Sequence, residues 1–264
     1  MPIESEEQEW IEAPKGWGHV ETAEDCLKQK QNDSDDDEDD GNNMMDLFGG
    51  NDDPHDKFEH ELTLPDGTKH NIQLKGFKLN SDEVDRSTGV TIWKAAPRLT
   101  NYLQDHPELC NKKTVLELGA GLGLCGIAAY YLGAKMIMTD GDTHALQRMR
   151  ENVRENCGDS DAISNSCYGS LECRQLLWGS PHMEKFSDDK YDVIIGADII
   201  YTEASIEPLF DTVAYLLKKD GGQFVLSRHN KWNGVQDEVV MQAGSERGMR
   251  CARPSEGIFV FQWT

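Results

Sequence analysis

The chain has 264 residues, 38% of them hydrophobic, and a formal net charge of −22. This length allows one large domain or two small ones. The negative charge, and the lack of a stripe of Lys and Arg that could neutralise phosphates, argue against nucleic acid as a substrate.

The N-terminal segment, residues 1–56, carries most of the charge. It contains 19 acidic and three basic side chains, a net of −16, which leaves −6 for residues 57–264. Seven of the eight residues from Asp33 to Asp40 are carboxylates. Such a segment repels itself and has too little apolar surface to offset chain entropy. We therefore predict a disordered acidic arm over residues 1–56, either a solubilising tail or a docking arm for a basic partner, and a folded domain over 57–264.

Two elements precede the main pattern of the domain. Phe58 to Leu64 and Thr68 to Leu79 are β-like stretches joined by the turn sequence Pro65-Asp66-Gly67, which predicts a hairpin. The apolar spacing from Val90 to Leu103 predicts a helix, in which Pro97 either produces a kink or lies in a late first turn.

From Thr114 onward, strand-like and helix-like segments alternate, which is typical of an α/β fold with a mostly parallel sheet covered on both faces. The predicted strands are Val115–Leu118, Lys135–Thr139, a segment within Cys167–Leu177, Tyr191–Ala197, Gln223–Ser227 and Ile258–Trp263. The predicted helices are Leu122–Leu132, one from Asp142 or Thr143 to Asn156, Ile206–Lys218 and Val235–Arg247.

The segment Val115-Leu-Glu-Leu-Gly-Ala-Gly-Leu-Gly123 carries the most specific signal. Gly119, Gly121 and Gly123 join a buried strand to a helix, and glycine permits positive φ and the close approach of a ligand. The helix N-terminus adds unpaired N–H groups that favour an anionic group such as a carboxylate. Nucleotide-like cofactors bind at such turns in open α/β sheets. A tight packing turn without a ligand is the alternative.

Two cofactors fit this turn. Gly121 to Gly126 matches G-x-G-x-x-G, and Asp140 follows Gly121 at about the ribose-binding distance of a dinucleotide fold. That register, however, would bury Glu117 in the middle of the strand. If the turn begins at Gly119, the carboxylate of Glu117 lies at the edge of the strand, where it suits a cationic amine and repels a pyrophosphate. S-adenosylmethionine has such an ammonium group and a ribose that needs an acceptor such as Asp140, so this order of residues favours S-adenosylmethionine.

The motif Asp198-Ile-Ile-Tyr201 follows the predicted strand Tyr191–Ala197, so it lies beside the expected cofactor crevice. Asp198 can accept hydrogen bonds from an incoming amine and orient it. Tyr201 can supply an aromatic wall, a hydroxyl group and a cation–π contact with an ammonium group. A solvated strand end is the alternative interpretation of this motif.

Together these motifs resemble one family. Glu117 to Gly123, Thr139-Asp140, Asn152-x-x-x-Asn156, Trp178-Gly179 and Asp198 to Tyr201 follow one another as in the seven-strand protein methyltransferases called methyltransferase family sixteen. The segment from Thr88 to Ala96, which contains Trp93, is similar to that family's segment of Thr-Gly, a Trp and small residues. The resemblance covers residues 58–264.

The resemblance implies a Rossmann-like, seven-stranded sheet that transfers a methyl group from S-adenosylmethionine to a protein side chain, mostly the lysine ε-amine and in at least one relative a histidine. It implies that Asp198 and Tyr201 are catalytic. The implied cofactor-binding residues are Trp93, Glu117, Gly119, Gly121, Gly123, Asp140, Trp178 and Ala197. Trp178 would offer a stacking surface to adenine, although Leu177 precedes it where the family has an acidic residue. A core position for Trp93 and a helix N-cap for Asp140 are the alternatives.

Other features of the sequence concern compartment and partners. Seven cysteines without a C-x-x-C pair and eight histidines without zinc-like spacing predict free thiols and no metal site. No apolar run approaches the roughly 18 residues of a membrane span, and no apolar signal core stands at the N-terminus. We expect a monomer in the cytoplasm, with the nucleus as the alternative, that acts on a protein substrate and binds neither nucleic acid nor membrane.

Three other functions stay open on the sequence alone. They are a dinucleotide-dependent oxidoreductase, a methyltransferase for a small molecule or for protein histidine, and a non-catalytic module whose acidic arm binds partners. The presence of both Asp198 and Tyr201 favours an enzyme over the non-catalytic module, because a binding protein could lose this pair without penalty.

Overall fold

A computed structural model describes residues 54–158, 162–164, 169–186, 190–229 and 234–264, and the predicted acidic arm lies outside these ranges except for its last three residues. The strands are β1 (His55–Thr63), β2 (Lys69–Phe77), β3 (Thr114–Leu118), β4 (Lys135–Asp140), β5 (Ala162–Ser164), β6 (Ser170–Gln175), β7 (Val193–Ala197), β8 (Gln223–Ser227), β9 (Met249–Ser255) and β10 (Ile258–Trp263). The helices are α1 (Asp82–Arg86), α2 (Ala95–Asp105), α3 (Leu124–Tyr131), α4 (Thr143–Cys157), α5 (Ile206–Leu216) and α6 (Asp237–Glu246). Short 3₁₀ turns cover Thr88–Val90, Pro107–Leu109, Pro181–Phe186 and Glu203–Ser205.

The main sheet contains eight of the described strands in the order β5-β6-β4-β3-β7-β8-β10-β9. The neighbours from β6 to β8 pair in parallel, whereas β5 and the last two strands pair antiparallel. Apart from the three-residue edge strand β5, this is the predicted seven-stranded, mostly parallel sheet, so the predicted fold class is confirmed. The chain moves outward from β3 through β4 to β6 and then returns to β7 on the other side of β3. The boundary between β3 and β7 is therefore the switch point at which open α/β sheets bind ligands.

Helices cover both faces of this sheet. The first face packs α2, α3, α4 and the hairpin around Leu99, Ile127 and Met149. The second face packs α5 and α6 around Phe210 and Val240. Because both faces are buried, the central strand β7 is apolar along its whole length. In the described part of the chain, no helix is both long and apolar enough to cross a membrane.

The predicted hairpin is confirmed, since β1 and β2 pair antiparallel from His55↔Phe77 to Thr63↔Lys69. The helix predicted from Val90 was wrong at its start, because α2 begins only at Ala95. Proline has no N–H to donate and is tolerated in the first turn of a helix, which is where Pro97 lies.

Three short or exposed elements were not predicted. Helix α1 has five residues and β5 has three, too few for a recognisable periodicity. Strand β9 lies at the edge of the sheet and contains Pro254, and most of its side chains are exposed. Proline is confined to edge strands. An edge strand with exposed side chains lacks the apolar run of a central strand, so no such run marked β9 in the sequence.

Two asparagines on α4 fasten the hairpin to the main domain. Oδ1 of the buried Asn152 accepts a hydrogen bond from the backbone N–H of Lys75 at 2.8 Å, and its Nδ2 donates to the carbonyl oxygen of Leu122 at 3.0 Å. Asn156 accepts from the N–H of Gln73 at 2.9 Å and donates to its carbonyl oxygen at 2.7 Å. The side chains thus satisfy backbone groups on the free edge of β2. They fix the strand that leads toward residues 88–90.

Candidate active site

The glycine turn begins where the sequence register required. Strand β3 ends at Leu118, and Gly119, Gly121 and Gly123 have φ values of +63°, +53° and +93°. Other residues rarely adopt these values, which explains three glycines in alternation. Gly123 is the N-cap of α3, so the turn delivers the chain directly into the helix N-terminus.

Neighbouring groups approach the glycine turn closely. A Cβ atom on Gly119 would lie 2.8 Å from Cγ2 of Ile199 and 3.5 Å from Cζ2 of Trp178. A Cβ atom on Gly121 would lie 3.0 Å from the carbonyl oxygen of Gly89. Trp178 and the Thr-Gly sequence at 88–89 therefore both border the turn.

Asp140 ends β4 beside this turn. Its Oδ2 accepts a hydrogen bond from the N–H of Gly121 at 3.0 Å, and its Oδ1 accepts one from the N–H of Asp142 at 3.0 Å. Burial raises the pKa of Asp140 to about 6, although these N–H groups oppose the shift. The side chain of Asp142 caps α4 by accepting from the N–H of His144 at 2.7 Å. Asp140 is thus not the helix cap, and its carboxylate has acceptor capacity left for a ligand hydroxyl group.

Trp93 lies before α2 rather than on it. Its indole Nε1 donates to the carbonyl oxygen of Thr88 at 2.9 Å, and its ring packs against the cluster of Phe77, Val84 and Val90. This placement makes Trp93 a support for residues 88–90, which border the turn. Its own contact with a cofactor stays a prediction.

The surroundings of Glu117 differ from the expectation. Its side chain is 2% exposed and lies on the same face of β3 as Val115, which α3 covers. Burial raises the pKa of Glu117 to about 8, and the Cys125 thiol and the Gly126 N–H lower it only in part. Side chains alternate between the faces of a strand, so the register that starts the turn at Gly119 also points residue 117 beneath α3. A contact between Glu117 and a ligand amine stays a prediction.

Asp198 immediately follows β7 at the switch point and has a left-handed backbone, with φ of +50°. Its side chain is buried, with Oδ1 accepting from the N–H of His229 at 2.7 Å and Oδ2 accepting from the N–H of Ala95 at 3.2 Å. Burial raises the pKa of this carboxyl group, and the two N–H donors oppose that shift. Two backbone segments therefore hold the carboxylate in one orientation.

Sequence reasoning missed Ala95 and His229 as neighbours of Asp198. Strand β8 is adjacent to β7 and ends at Ser227, so the rule that identified Asp198 as a strand-end residue also applies to residues 228–229. The N–H of Ala95 belongs to the first turn of α2, where no intrahelical acceptor exists. No sequence signal related that turn to β7.

Tyr201 belongs to the same motif as Asp198 and also lies near Asp140, which is beside the glycine turn. It is partly buried; burial raises its pKa, and the nearby carboxylates of Asp140 and Asp142 raise it further. Ala197, the last residue of β7, is partly exposed at the same edge of the sheet. The structure thus gathers the glycine turn, Asp140, Trp178, Asp198 and Tyr201 along one edge. Among the described residues, no group of three or more His, Cys, Asp or Glu side chains could hold a metal ion.

A glycine turn at the switch point, an acid at the end of the next strand and a buried acid after β7 define a Rossmann-like enzyme that uses a nucleotide-type cofactor. The model of the lysine methyltransferase family matches residues 71–243. This is more than half of the sequence, and the chain belongs to that family.

Individual relatives differ in what they modify. The chain is 36% identical to the protein N-lysine methyltransferase METTL21A of Xenopus tropicalis, over 60% of this chain and 67% of the relative. It is 33% identical to the EEF1A lysine methyltransferase 3 of Xenopus tropicalis, over 54% of this chain and 59% of the relative. It is 30% identical to the histone-arginine methyltransferase METTL23 of Xenopus laevis, over 50% of this chain and 53% of the relative.

A solved structure shares the fold. It is the 16S rRNA N2 G1207 methyltransferase RsmC of T. thermophilus in complex with AdoMet and guanosine, with 15% identity and a TM-score of 0.53 over 80% of this chain and 51% of that one. At this identity the likeness concerns the fold alone.

Proposed function

We propose that this protein transfers a methyl group from S-adenosylmethionine to the ε-amine of a lysine in another protein. One observation carries the proposal: the buried carboxylate of Asp198, oriented by two backbone N–H groups, lies at the switch point beside the glycine turn. Tyr201, in the field of Asp140, lies at the same edge. A cofactor-binding turn and an amine-binding acid thus share one crevice.

The residues present fit the cofactor. Gly119 and Gly121 let Trp178 and the Gly89 segment pack closely against the turn, and the N-terminus of α3 favours the carboxylate of the methionine part. Asp140 offers an acceptor for the ribose hydroxyl groups, and Trp178 offers a flat face for the adenine ring. When bound, S-adenosylmethionine supplies an electrophilic methyl group on a sulfonium centre.

The acceptor must arrive as a neutral amine. A free lysine has a pKa of about 10.4 and is therefore mostly protonated near neutral pH. Asp198 can accept hydrogen bonds from the ammonium form and keep its nitrogen in place while the excess proton passes to water. The ring of Tyr201 provides a cation–π surface, and its hydroxyl group a second polar contact. Holding the lone pair in line at near-contact distance supplies much of the rate enhancement, so a covalent intermediate on the enzyme is unnecessary.

The family and two of the relatives above support lysine as the target, whereas one relative is named for arginine. We also propose that the enzyme acts as a cytoplasmic monomer on a protein substrate and binds neither nucleic acid nor membrane. Cys110, Cys125, Cys157, Cys173 and Cys251 are all free thiols, which suits a reducing compartment. The net charge of −22 disfavours polyanionic partners.

Transfer of tritiated methyl groups to cell-extract proteins tests the function. Amino-acid analysis of the labelled protein should yield methyl-lysine, and mass spectrometry of the labelled band identifies the target. Label in histidine or arginine would disprove the proposed acceptor while preserving the activity. Binding of NAD instead of S-adenosylhomocysteine in a thermal-shift comparison would disprove the cofactor.

A further inference from the structure

Arg98 closes a ring of contacts around Asp198. It lies on α2, one turn after Ala95, whose N–H donates to Oδ2 of Asp198. Its Nη1 donates to the carbonyl oxygen of Arg228 at 2.8 Å, and its Nη2 lies 3.2 Å from Nδ1 of His229. The N–H of the same His229 donates to Oδ1 of Asp198. Arg98 therefore joins the two backbone segments that hold the carboxylate.

The contact with His229 requires a neutral imidazole, because the guanidinium can only donate. Burial lowers the pKa of His229, as do Arg98 and Lys94, whereas Asp198 and Glu256 raise it. Nδ1 is then the acceptor, and the proton of the neutral ring lies on Nε2. The ring of contacts is thus chemically consistent near neutral pH.

The turn between β9 and β10 leaves space for the guanidinium. Gly257 has φ of +68°, and a Cβ atom there would lie 2.2 Å from Nη1 of Arg98 and 2.5 Å from the carbonyl oxygen of Arg228. The N–H of Arg228 donates to the carbonyl oxygen of Gly257 at 2.8 Å. Arg98 therefore occupies a site that only glycine leaves open.

We propose that Arg98 is a positioning residue of the acceptor site, which clamps the segment after β8 to α2 and thereby fixes the Asp198 carboxylate for the incoming amine. The proposal rests on the proposed function. None of the hydrogen bonds described for Arg98 involves the glycine turn or Asp140, so its loss should affect the acceptor step and not cofactor binding.

The test compares Arg98→Ala, Arg98→Lys and Gly257→Ala with a matched control, Gly221→Ala. Gly257→Ala keeps the charge of Arg98 but displaces its guanidinium and the Arg228 carbonyl oxygen that the guanidinium binds. Gly221 has φ of +70° with nothing within 4 Å of a new Cβ, so its variant has the same backbone strain without the displacement. The measurements are S-adenosylhomocysteine affinity by calorimetry, melting temperature, and the initial rate of tritiated methyl transfer to extract proteins as a function of pH.

We expect Arg98→Ala and Gly257→Ala to lose about 10-fold to 10²-fold in rate, the effect of a small misplacement of a reacting group, with unchanged affinity for S-adenosylhomocysteine. Arg98→Lys should recover part of the rate, because an ammonium group can donate to the Arg228 carbonyl oxygen but cannot also reach His229. Weaker N–H donation raises the pKa of Asp198, whose neighbours are the charged guanidinium of Arg228 and the titratable ring of His229. The fall in rate on the acid side of the pH profile, where this carboxylate becomes protonated, should therefore begin at a higher pH than in the wild type.

Wild-type rate and pH dependence in both Arg98→Ala and Gly257→Ala would overturn the proposal, as would an equal loss in Gly221→Ala. If Arg98→Ala does not fold, Arg98→Lys decides, because it changes only the Arg98 side chain: a wild-type rate and pH dependence in that variant would overturn the proposal. A wild-type protein that does not bind S-adenosylhomocysteine would instead refute the proposed function, and the role of Arg98 with it.

Discussion

The backbone N–H of Ala95 donates to Oδ2 of Asp198 at 3.2 Å, although 103 residues separate the two in the chain. This contact joins the first turn of α2 to the end of β7. The segment that leads into α2 contains Gly89, which borders the glycine turn, and Trp93, which supports that segment. One stretch of chain, residues 88–98, therefore contributes to both the cofactor side and the acceptor side of the crevice.

Replacing Asp198 tests the acceptor side. In Asp198→Asn, an amide nitrogen replaces one carboxylate oxygen and cannot accept the hydrogen bond that this oxygen accepts from Ala95 or His229. The side chain also loses the negative charge that would attract an ammonium group. We expect a loss of about 10²-fold in methyl transfer, the effect of a reacting group that is no longer held in position. Asparagine tolerates left-handed φ, so the fold should persist.

Calorimetry with S-adenosylhomocysteine should give wild-type affinity for Asp198→Asn. The exposed Asp211, on α5, supplies the control, and Asp211→Asn should keep wild-type turnover. Full activity of the Asp198 variant would show that this carboxylate has only a structural role.

Replacing Gly121 tests the cofactor side. In Gly121→Ala the new Cβ atom would lie 3.0 Å from the Gly89 carbonyl oxygen, and φ is +53°. We expect at least about tenfold weaker binding of S-adenosylhomocysteine, equivalent to about 1.4 kcal/mol. Gly67→Ala, at φ of +86° with nothing within 4 Å, is the control for strain. Equal affinity in the two variants would mean that the close packing of Gly121 against Gly89 is not needed for cofactor binding.

The sheet could be predicted well from the sequence because most of its strands, and the glycine turn, are each marked by a pattern within their own segment. Continuous apolar runs such as Val193–Ala197 identify doubly covered strands, and three glycines in alternation identify the turn. Strand β9, which lies at an edge and contains Pro254, lacks that evidence.

The site was predictable only where a motif occurs within one segment. Asp140 and Asp198 follow their strands directly, and the strand-end rule places both at the crevice. The contacts of Asp198 with Ala95 and His229 depend on how α2 packs over the sheet, which no local pattern records. The environment of Glu117 depends in the same way on α3 covering its face of β3.

Glu117 should make stability depend on pH. Its pKa rises from 4.5 to about 8 on folding, because of burial. Between these values the folded state binds more protons than the unfolded state, so this group lowers the free energy of unfolding as pH rises through the window. The free energy of unfolding of Glu117→Gln should therefore equal that of the wild type at the acidic end of this window and exceed it at the alkaline end.

A difference of about 1 kcal/mol would raise Tm by about 2–4 °C for a domain of this size. Thermal unfolding at both ends of the window measures it. Glu238→Gln, on the exposed surface of α6, should show no such pH-dependent gain. Parallel pH profiles for Glu117→Gln and the wild type would disprove a raised pKa at Glu117.

Asn152 is the residue through which α4 holds the hairpin most firmly. Its side chain is 1% exposed and bonds to backbone groups of Lys75 and Leu122. Asn152→Ala leaves the Lys75 N–H without this acceptor, so we expect a loss of about 1–3 kcal/mol in the free energy of unfolding, measured in urea. Asn71→Ala removes an exposed side chain with one 3.3 Å contact to Glu59 and should change stability little. Because β2 leads toward residues 88–90, Asn152→Ala should also increase hydrogen exchange there, and unchanged exchange would show that the hairpin does not support the crevice.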